Sequence, residues 1–199
     1  MHPSSKFAWG DAAEMRAFVN RTAFAQIVIV ADSKPLSAQA PLVIAPDGSV
    51  RFHLSRANRL TPLLEGAAVL ASVIGTHFYV SPDWYGTADQ VPTWNYRLVE
   101  IEGIARRLED ADLQDLLDRL SAAHEDQLAP KPAWTSAKMD PARLDAMMRA
   151  IVGFAIDNPR FSGAIKMGQN KLDRERRGAI AALRALGKQA EADEMEALL

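Results

Sequence analysis

The sequence has no cysteine in its 199 residues. Disulfide bonds, thiolate metal sites and cysteine nucleophiles are therefore excluded. The four histidines, His2, His53, His77 and His124, show neither HxxxH nor HExxH spacing, which argues against a zinc site. The motifs GxxxxGK[ST], GxGxxG and GxSxG are also missing, so the chain carries no signature of P-loop, dinucleotide-binding or α/β-hydrolase chemistry.

Long apolar runs are absent as well. No run reaches the length that would span a bilayer, and the first fifteen residues, MHPSSKFAWGDAAEM, lack the apolar centre of a signal peptide. We therefore expect a cytoplasmic protein with no membrane partner.

The net charge is only −2, so the chain as a whole is not a binder of polyanions. The charges are nevertheless uneven along the sequence. Residues 160–188 contain eight Lys or Arg and two acids, whereas residues 100–126 contain nine acids and three arginines. Two interpretations remain open: solvated helix faces, or an anion site in the basic segment together with opposed patches that pair in a dimer.

The apolar pattern predicts six to eight strands, mostly antiparallel. Alternation in the third strand places Val50, Phe52 and Leu54 on a dry face, and Arg51 and His53 on a polar face. The predicted strands cover residues 24–31, 38–46, 49–54, 67–82, 93–108, 151–156 and 160–168. In the fifth of these segments the apolar residues do not alternate strictly, so Gly103 is interpreted as a bulge.

Helices are predicted at the ends of the chain and in one insertion. Asp11 begins a short helix that reaches Asn20, and Asp140 followed by Pro141 begins another. Leucines at 113, 116, 117 and 120 have the spacing of an amphipathic helix, and a final helical stretch from Lys171 should break at Gly187. Because strands and helices do not alternate, we predict a small closed barrel with helices at its ends.

Three segments carry candidate site chemistry. HLSRANR (53–59) places a hydroxyl, a guanidinium and an amide at a strand end, which suits a phosphate, although a solvated loop has the same composition. Residues 78–96 hold all three tyrosines and two of the four tryptophans, which suits either core or dimer packing or contact with a planar ligand. GAIKMGQN (163–170) offers further donors, or only a polar turn.

In this order, these segments resemble the PaiB-like family of FMN-binding negative transcriptional regulators. The resemblance rests on HLSRAN (53–58), YVSPDWY (79–85), VPTWNY (91–96), His124-Glu125, RAIVG (149–153) and GAIKMGQN (163–170). Three positions depart from the family pattern: Arg59 stands where proline is usual, and Ala164 and Gly168 stand where lysine and serine are usual.

The resemblance implies an α+β fold that is mainly β, the split β-barrel of flavin reductases and pyridoxamine-phosphate-oxidase-like proteins. It implies a single domain over residues 1–199, with a helical insertion at about 110–149 and a C-terminal helical tail at about 171–199. It also implies a flavoprotein that forms a homodimer with FMN at the interface. In that reading Ser55, Arg56 and Asn58 hold the phosphate and the backbone of His53 and Leu54 faces the ring system. The other implied cofactor contacts are Trp94, Asn95, Tyr96, Lys166 and Gln169.

The family name implies negative regulation of transcription, but the sequence assigns no catalytic residue and gives DNA binding little support. The basic helix that carries Arg174, Arg176, Arg177 and Arg184 could contact phosphates, yet the overall charge is negative and no helix-turn-helix pattern is evident. The alternative is a flavin- or haem-dependent oxidoreductase of the same fold without direct DNA binding. In its haem version His53 or His77 would be the axial ligand.

Overall fold

The computed structural model describes residues 3–199, so His2 lies outside the described part of the chain. In that range the chain forms eight strands and five α-helices. The strands are β1 (Ala8–Trp9), β2 (Phe24–Ala31), β3 (Lys34–Ile44), β4 (Val50–Ser55), β5 (Ala68–Val80), β6 (Thr93–Arg107), β7 (Ile151–Ile156) and β8 (Arg160–Lys166). The helices are α1 (Ala12–Thr22), α2 (Asp110–Glu125), α3 (Pro141–Arg149), α4 (Asp173–Ala185) and α5 (Gln189–Glu196).

The predicted fold class is confirmed: a mainly antiparallel sheet is accompanied by a few helices. None of the helices in residues 3–199 is long and apolar enough to cross a membrane. The chain divides into two compact units. The barrel unit comprises residues 12–73 and 100–161, and the terminal unit comprises residues 3–11, 74–99 and 162–199.

The barrel unit contains a closed sheet of six strands. Their order is β6-β5-β2-β3-β4-β7, and β7 pairs back onto β6. This last pairing is antiparallel and sets Ala105 opposite Ile156. Closure removes the free sheet edges that would otherwise invite pairing with another chain.

The inside of this barrel is filled by apolar side chains from every strand. Phe52 and Phe154 face each other across the β4–β7 ladder, and their rings stack with centroids 5.6 Å apart. Such a pair adds about 0.5–1.5 kcal/mol beyond the burial of its area. Other side chains with almost no exposed surface are Ile27, Leu42, Val73, Ile101 and Ile156.

The polar face of β4 is not open to solvent. Arg51 is buried, and its guanidinium reaches Asp47 at 2.9 Å on the preceding turn and Asp112 at 3.1 Å on α2. The alternation of apolar and polar side chains along β4 was therefore predicted correctly, but the polar face is covered by the helical insertion. The predicted leucine stripe of α2 supplies the cover, with Leu113, Leu116 and Leu120 buried.

Gly103 is not explained by a bulge. Ile101 and Ala105 are buried on either side of it, so the alternation of β6 continues through this position without a change of phase. The pattern looked irregular because Ile104, on the outer face, is apolar and exposed. Glycine is required here by close packing, since a Cβ atom at 103 would lie 2.4 Å from Cγ2 of Ile156.

The terminal unit is built around the C-terminal helices and the aromatic segment. Strands β1 and β8 pair antiparallel, with Trp9 opposite Gly163. Helix α4 packs directly on the short 3-10 turn Pro82–Tyr85. The contact is so close that a Cβ atom at Gly178 would lie 2.3 Å from the carbonyl oxygen of Trp84. The predicted break between the last two helices occurs at Gly187, which has a φ of +74°.

The contact between β6 and β7 gives a test of barrel packing. Ile156 is β-branched and fully buried, so Cγ2 cannot move away from a methyl group at position 103. We expect Gly103→Ala to lower the free energy of unfolding by about 1–3 kcal/mol, measured by urea denaturation. In the double variant with Ile156→Ala, part of the loss should be recovered, giving a non-additive cycle.

The matched control is Gly10→Ala, since no atom lies within 4 Å of a Cβ placed there. This change should alter stability by less than about 0.5 kcal/mol. Equal effects at positions 10 and 103, or strict additivity with Ile156→Ala, would contradict the packing argument.

Candidate functional site

A tight turn follows β4 and carries the three predicted phosphate ligands. Within it the backbone N–H of Ala57 donates to Ser55 Oγ at 3.3 Å, and the N–H of Leu60 donates to Asn58 Oδ1 at 2.9 Å. Both bonds use side-chain oxygens as acceptors. The hydroxyl hydrogen of Ser55 and the side-chain amide hydrogens of Asn58 remain available to an anion.

Arg56 is fixed onto the start of β7. Its backbone N–H donates to the carbonyl of Ala150 at 2.8 Å, and its Nε donates to the carbonyl of Arg149 at 2.9 Å. A longer bond of 3.4 Å joins Nη2 to the carbonyl of Ile151. Nη1 has no acceptor among residues 3–199, so the guanidinium is held in place and keeps a charged donor free.

A pocket of about 720 Å³ opens beside Arg56 within the barrel unit. Its charged lining consists of Arg56, Arg107 and Arg149 with Asp110 and Asp145, which leaves one positive charge in excess. The volume lies in the usual range for small-molecule sites, about 300–1,000 Å³. This pocket therefore has the size and the charge to take a phosphorylated ligand.

Two members of this lining, Arg107 and Arg149, were not among the predicted site residues. Arg149 opens the RAIVG segment, which was noted only as part of the resemblance. Arg107 lies at the end of β6, and no pattern distinguishes it from a solvated charge. Only the return of β7 to both β4 and β6 brings the strand ends together.

The backbone of His53 and Leu54 is paired with a neighbouring strand, β7, on one side only. The β3–β4 register covers Val50–Phe52, whereas the β4–β7 register continues to Ser55. The N–H and C=O groups at the end of β4 thus lie beyond the β3 ladder. This geometry suits the predicted role of the His53 and Leu54 backbone as hydrogen-bonding groups for a ring system.

The imidazole of His53 lies in a second, smaller pocket of the barrel unit. The pocket has a volume of about 250 Å³, and its apolar lining is Leu117, Trp134, Met139, Leu144, Met147, Met148 and Ile151. Nδ1 of His53 is buried and has no hydrogen-bond partner among the described residues, and burial lowers the pKa of the imidazole. The volume falls below the usual range for ligand sites, about 300–1,000 Å³.

The aromatic residues of the terminal unit divide into a buried and an exposed set. Tyr85 is buried beneath Lys171, whose Nζ lies 4.8 Å from the ring centroid. Trp94 is 56% exposed, and the rings of His77 and Tyr79 lie 6.4 and 6.3 Å from it. An exposed cluster of flat side chains is a surface suited to a planar ligand or to a second protomer.

The remaining predicted contacts also lie in the terminal unit. Lys166 Nζ donates to Thr93 Oγ1 at 2.6 Å, next to Trp94 and Asn95 in sequence. Gln169 is engaged by its own turn, since Oε1 accepts from the N–H of Met167 and Nε2 donates to the carbonyl of Ile165. Gln169 therefore stabilises the turn at the end of β8. The last predicted contact, Tyr96, is half-buried on β6.

Comparison with known proteins assigns the family. The model of the family described as "Putative FMN-binding domain" matches residues 1–158. The chain belongs to this family. It is also 29% identical over 175 residues to a Bacillus subtilis protein named "Protease synthase and sporulation protein PAI 2", covering 86% of this chain and 83% of that protein.

Solved structures with the same fold support the split barrel. The FAD- and haem-binding protein of Mycobacterium smegmatis superposes with a TM-score of 0.59 at 18% identity, over 88% of this chain and 79% of that one. The flavocytochrome Anf3 of Azotobacter vinelandii gives 0.58 at 17% identity, over 83% and 72%. The PaiB-like assignment, the split barrel and FMN as the family's cofactor are thus confirmed.

The predicted contact residues themselves remain a prediction. The structure places His53, Leu54, Ser55, Arg56 and Asn58 on one strand end and turn of the barrel unit. It places the other five, Trp94, Asn95, Tyr96, Lys166 and Gln169, in the terminal unit.

Two departures from the family pattern have local structural reasons. Ala164 is buried on β8, where it pairs with Ala8 of β1. A charged side chain at this buried position would be kept from solvent. Gly168 has a φ of +82°, the left-handed region in which an L side chain such as serine is strained.

The burial of His53 predicts a pH dependence of stability. Because its pKa in the folded protein is below 6.5, the unfolded chain binds the proton more readily, and acid favours unfolding. The stability that the neutral His53 side chain contributes should be fully present above pH 6.5. It should decline as the pH falls from there towards the lowered pKa. Thermal melts of the wild type and of His53→Gln between neutral and mildly acid pH measure this, and the variant should lose less stability over that interval.

His124 is the control, since it lies at the exposed end of α2. His124→Gln should follow the wild-type profile. Identical profiles for His53→Gln and the wild type would show that the His53 imidazole is not sealed by the insertion.

Proposed function

We propose that the protein binds FMN at a homodimer interface and acts as a negative regulator of transcription. The observation that carries the flavin part is the fixed guanidinium of Arg56 at the mouth of an arginine-lined pocket, directly after the turn of Ser55 and Asn58. Of the three proposed phosphate ligands Arg56 lines this pocket, while Ser55 and Asn58 are its neighbours in the turn. A guanidinium with a free donor is a strong hydrogen-bond partner for a phosphate. The regulatory part rests on the family resemblance and on the likeness to the Bacillus protein.

In this proposal the ten predicted contacts have separate tasks. Arg56, Ser55 and Asn58 hold the phosphate, while the strand backbone of His53 and Leu54 faces the ring system. Trp94, Asn95 and Tyr96 border the flavin, with Trp94 offering an exposed face. Lys166 and Gln169 contribute from the C-terminal part, Gln169 by shaping its turn rather than by direct donation.

An apolar groove on the outside of the barrel unit supports the homodimer. Val30 and Ile104 are 69% and 56% exposed on neighbouring parts of a groove of about 610 Å³ that also includes Val28 and Leu70. Arg160, paired with Glu102, lies at the groove as well. An exposed apolar patch bordered by a pair of opposite charges is the kind of surface that a second copy of the same chain could cover.

Regulation through direct DNA contact by α4 has little support. Arg176 is buried and donates to the carbonyl of Met195 at 3.3 Å, and Arg184 binds Glu196 at 2.6 Å. Two of the four arginines of this helix are therefore engaged inside the terminal unit. The proposal accordingly routes regulation through a ligand or a protein partner.

A second candidate function is a flavin-dependent oxidoreductase of the same fold. The solved structures similar in fold include a protein described as binding FAD and haem and one described as a flavocytochrome. Bound FMN would supply hydride and electron transfer chemistry. The haem version through His53 is disfavoured by the small volume of its pocket, and His77, which is exposed and bonded to the carbonyl of Gly75 at 3.0 Å, is the histidine that remains for it.

The role of Arg56 can be tested by comparing FMN with riboflavin, which lacks the phosphate. We expect Arg56→Met to weaken FMN binding by at least about tenfold, because a charged hydrogen bond is lost, and to leave riboflavin affinity unchanged. Quenching of flavin fluorescence on titration measures both constants.

Arg59→Met is the matched control, since Arg59 is exposed three residues further on and does not line the pocket. It should bind both flavins like the wild type. The proposal fails if Arg56→Met keeps full FMN affinity, or if the wild type does not quench FMN at all.

The dimer can be tested at the groove of the barrel unit. Ile104→Glu should raise the dimer dissociation constant by at least about tenfold, since it places a charge in an apolar contact. Sedimentation velocity over a concentration series measures this, with Leu128→Glu, an equally exposed leucine outside the groove, as the control. A wild-type chain that sediments as a monomer at every concentration would refute the interface.

A further inference from the structure

The terminal unit contains a pocket of its own, with a volume of about 400 Å³. Three lysines line it, Lys6, Lys166 and Lys171, and no carboxylate is among the lining residues. Tyr85, Thr93 and Asn95 also line it. A cluster of cations without an acid in the wall favours an anionic ligand.

Two buried polar groups in this wall have no partner. Asn95 has no exposed surface, and neither Oδ1 nor Nδ2 is hydrogen-bonded to any of residues 3–199. The hydroxyl of Tyr85, a residue that is 3% exposed, is also unbonded within that range. Leaving such groups unpaired costs free energy, and buried polar side chains without partners are rare in folded proteins.

The lysines are held at the pocket by neutral groups. Lys166 donates to Thr93 Oγ1 at 2.6 Å, and Lys171 donates to Gln90 and lies above the ring of Tyr85. Burial, and then the charge of Lys171, lower the pKa of Lys166.

A carboxylate that interacts with Lys171 is occupied by other hydrogen bonds. Glu175 accepts from the N–H of Leu172 at 2.9 Å and from Thr87 Oγ1 at 2.8 Å. Those two bonds, together with the charge of Lys171, lower the pKa of Glu175. It does not line the pocket, so it leaves the space between the lysines open.

We propose that this pocket binds a phosphate group. The lysines, Nδ2 of Asn95 and the hydroxyl of Tyr85 would donate to its oxygens. Oδ1 of Asn95 is an acceptor and needs a donor, which the O–H of monohydrogen phosphate supplies. Sulfate carries no hydrogen at neutral pH, so the same geometry favours phosphate over sulfate.

Two sources can provide this group: free inorganic phosphate, or the phosphate of a larger molecule such as FMN. Both present oxygens to the lysines, but the phosphomonoester of FMN is mainly a dianion at neutral pH and lacks the O–H that monohydrogen phosphate offers to Oδ1 of Asn95. The tests below separate the two sources. The proposal does not depend on the role of Arg56, since every residue that carries it lies in the terminal unit. Two of these residues, Asn95 and Lys166, are also among the proposed flavin contacts, and an independent phosphate site would reassign them.

The first experiment titrates the full chain with inorganic phosphate in an isothermal calorimeter, and with sulfate for comparison. Phosphate should bind, and sulfate should bind at least about tenfold more weakly, because one hydrogen bond is lost and Oδ1 stays unpaired. Lys171→Met and Lys166→Met should each weaken phosphate binding by a similar factor. Lys6→Met, at an exposed position where folding is not at risk, should weaken it to a smaller extent.

Lys188→Met is the matched control in the same unit, since Lys188 is paired with Glu191 at 3.8 Å and lies outside the pocket. It should bind phosphate like the wild type. The proposal is overturned if the wild type gives neither heat nor a rise in Tm with phosphate at about 10 mM, a concentration that would fill even a millimolar site. It is also overturned if the lysine variants of the pocket bind as well as Lys188→Met does.

The second experiment repeats the phosphate titration with FMN present. If FMN abolishes phosphate binding and riboflavin does not, the pocket holds the phosphate of the flavin, and the assignment to Arg56 fails while the phosphate pocket stands. If phosphate binds equally with and without FMN, the ligand is free phosphate at an independent site. A protein that binds phosphate but no flavin would refute the proposed cofactor and leave this inference intact.

Discussion

The pairing of β7 with both β4 and β6 is the constraint on which the rest of the barrel unit depends. It closes the sheet, stacks Phe154 on Phe52, and forces Ile156 against a position where only glycine fits. The two residues directly before this strand, Arg149 and Ala150, supply the carbonyls that hold the guanidinium and the backbone N–H of Arg56. A packing requirement inside the barrel thus fixes a cation outside it, and the candidate phosphate site follows from closure.

Buried polar groups in this protein fall into two classes with different meanings. Arg51 is surrounded by Asp47 and Asp112, so its charge is compensated and ties the insertion to the barrel. His53 and Asn95, in contrast, have buried atoms without partners in the described chain, and each lies in the wall of a pocket. Satisfied groups of this kind stabilise a fold, whereas an unsatisfied group in the wall of a ligand-sized pocket, as at Asn95, marks a place where a ligand can supply the missing hydrogen bonds.

Much of the fold could be predicted from the sequence because strand alternation, the leucine spacing of α2 and the cap at Asp140 are local signals. Asp140 does accept from the N–H of Arg143, at 2.9 Å, as such a cap requires. The site was harder to predict from the sequence. Arg107 and Lys171 are distant in sequence from the segments they join, and their charges resemble those of solvated residues. Gly103 was misread because its cause, Ile156, lies on another strand.

If FMN is bound as proposed, its phosphate lies at the turn after β4. A crystal structure of the protein grown with FMN would locate the phosphorus atom. We expect phosphate oxygens within hydrogen-bond distance of Arg56 and of the Ser55 hydroxyl, with the flavin ring at a contact between two protomers. A flavin whose phosphate lies away from Arg56, or a crystal grown with excess FMN in which the Arg56 pocket holds no flavin, would contradict it.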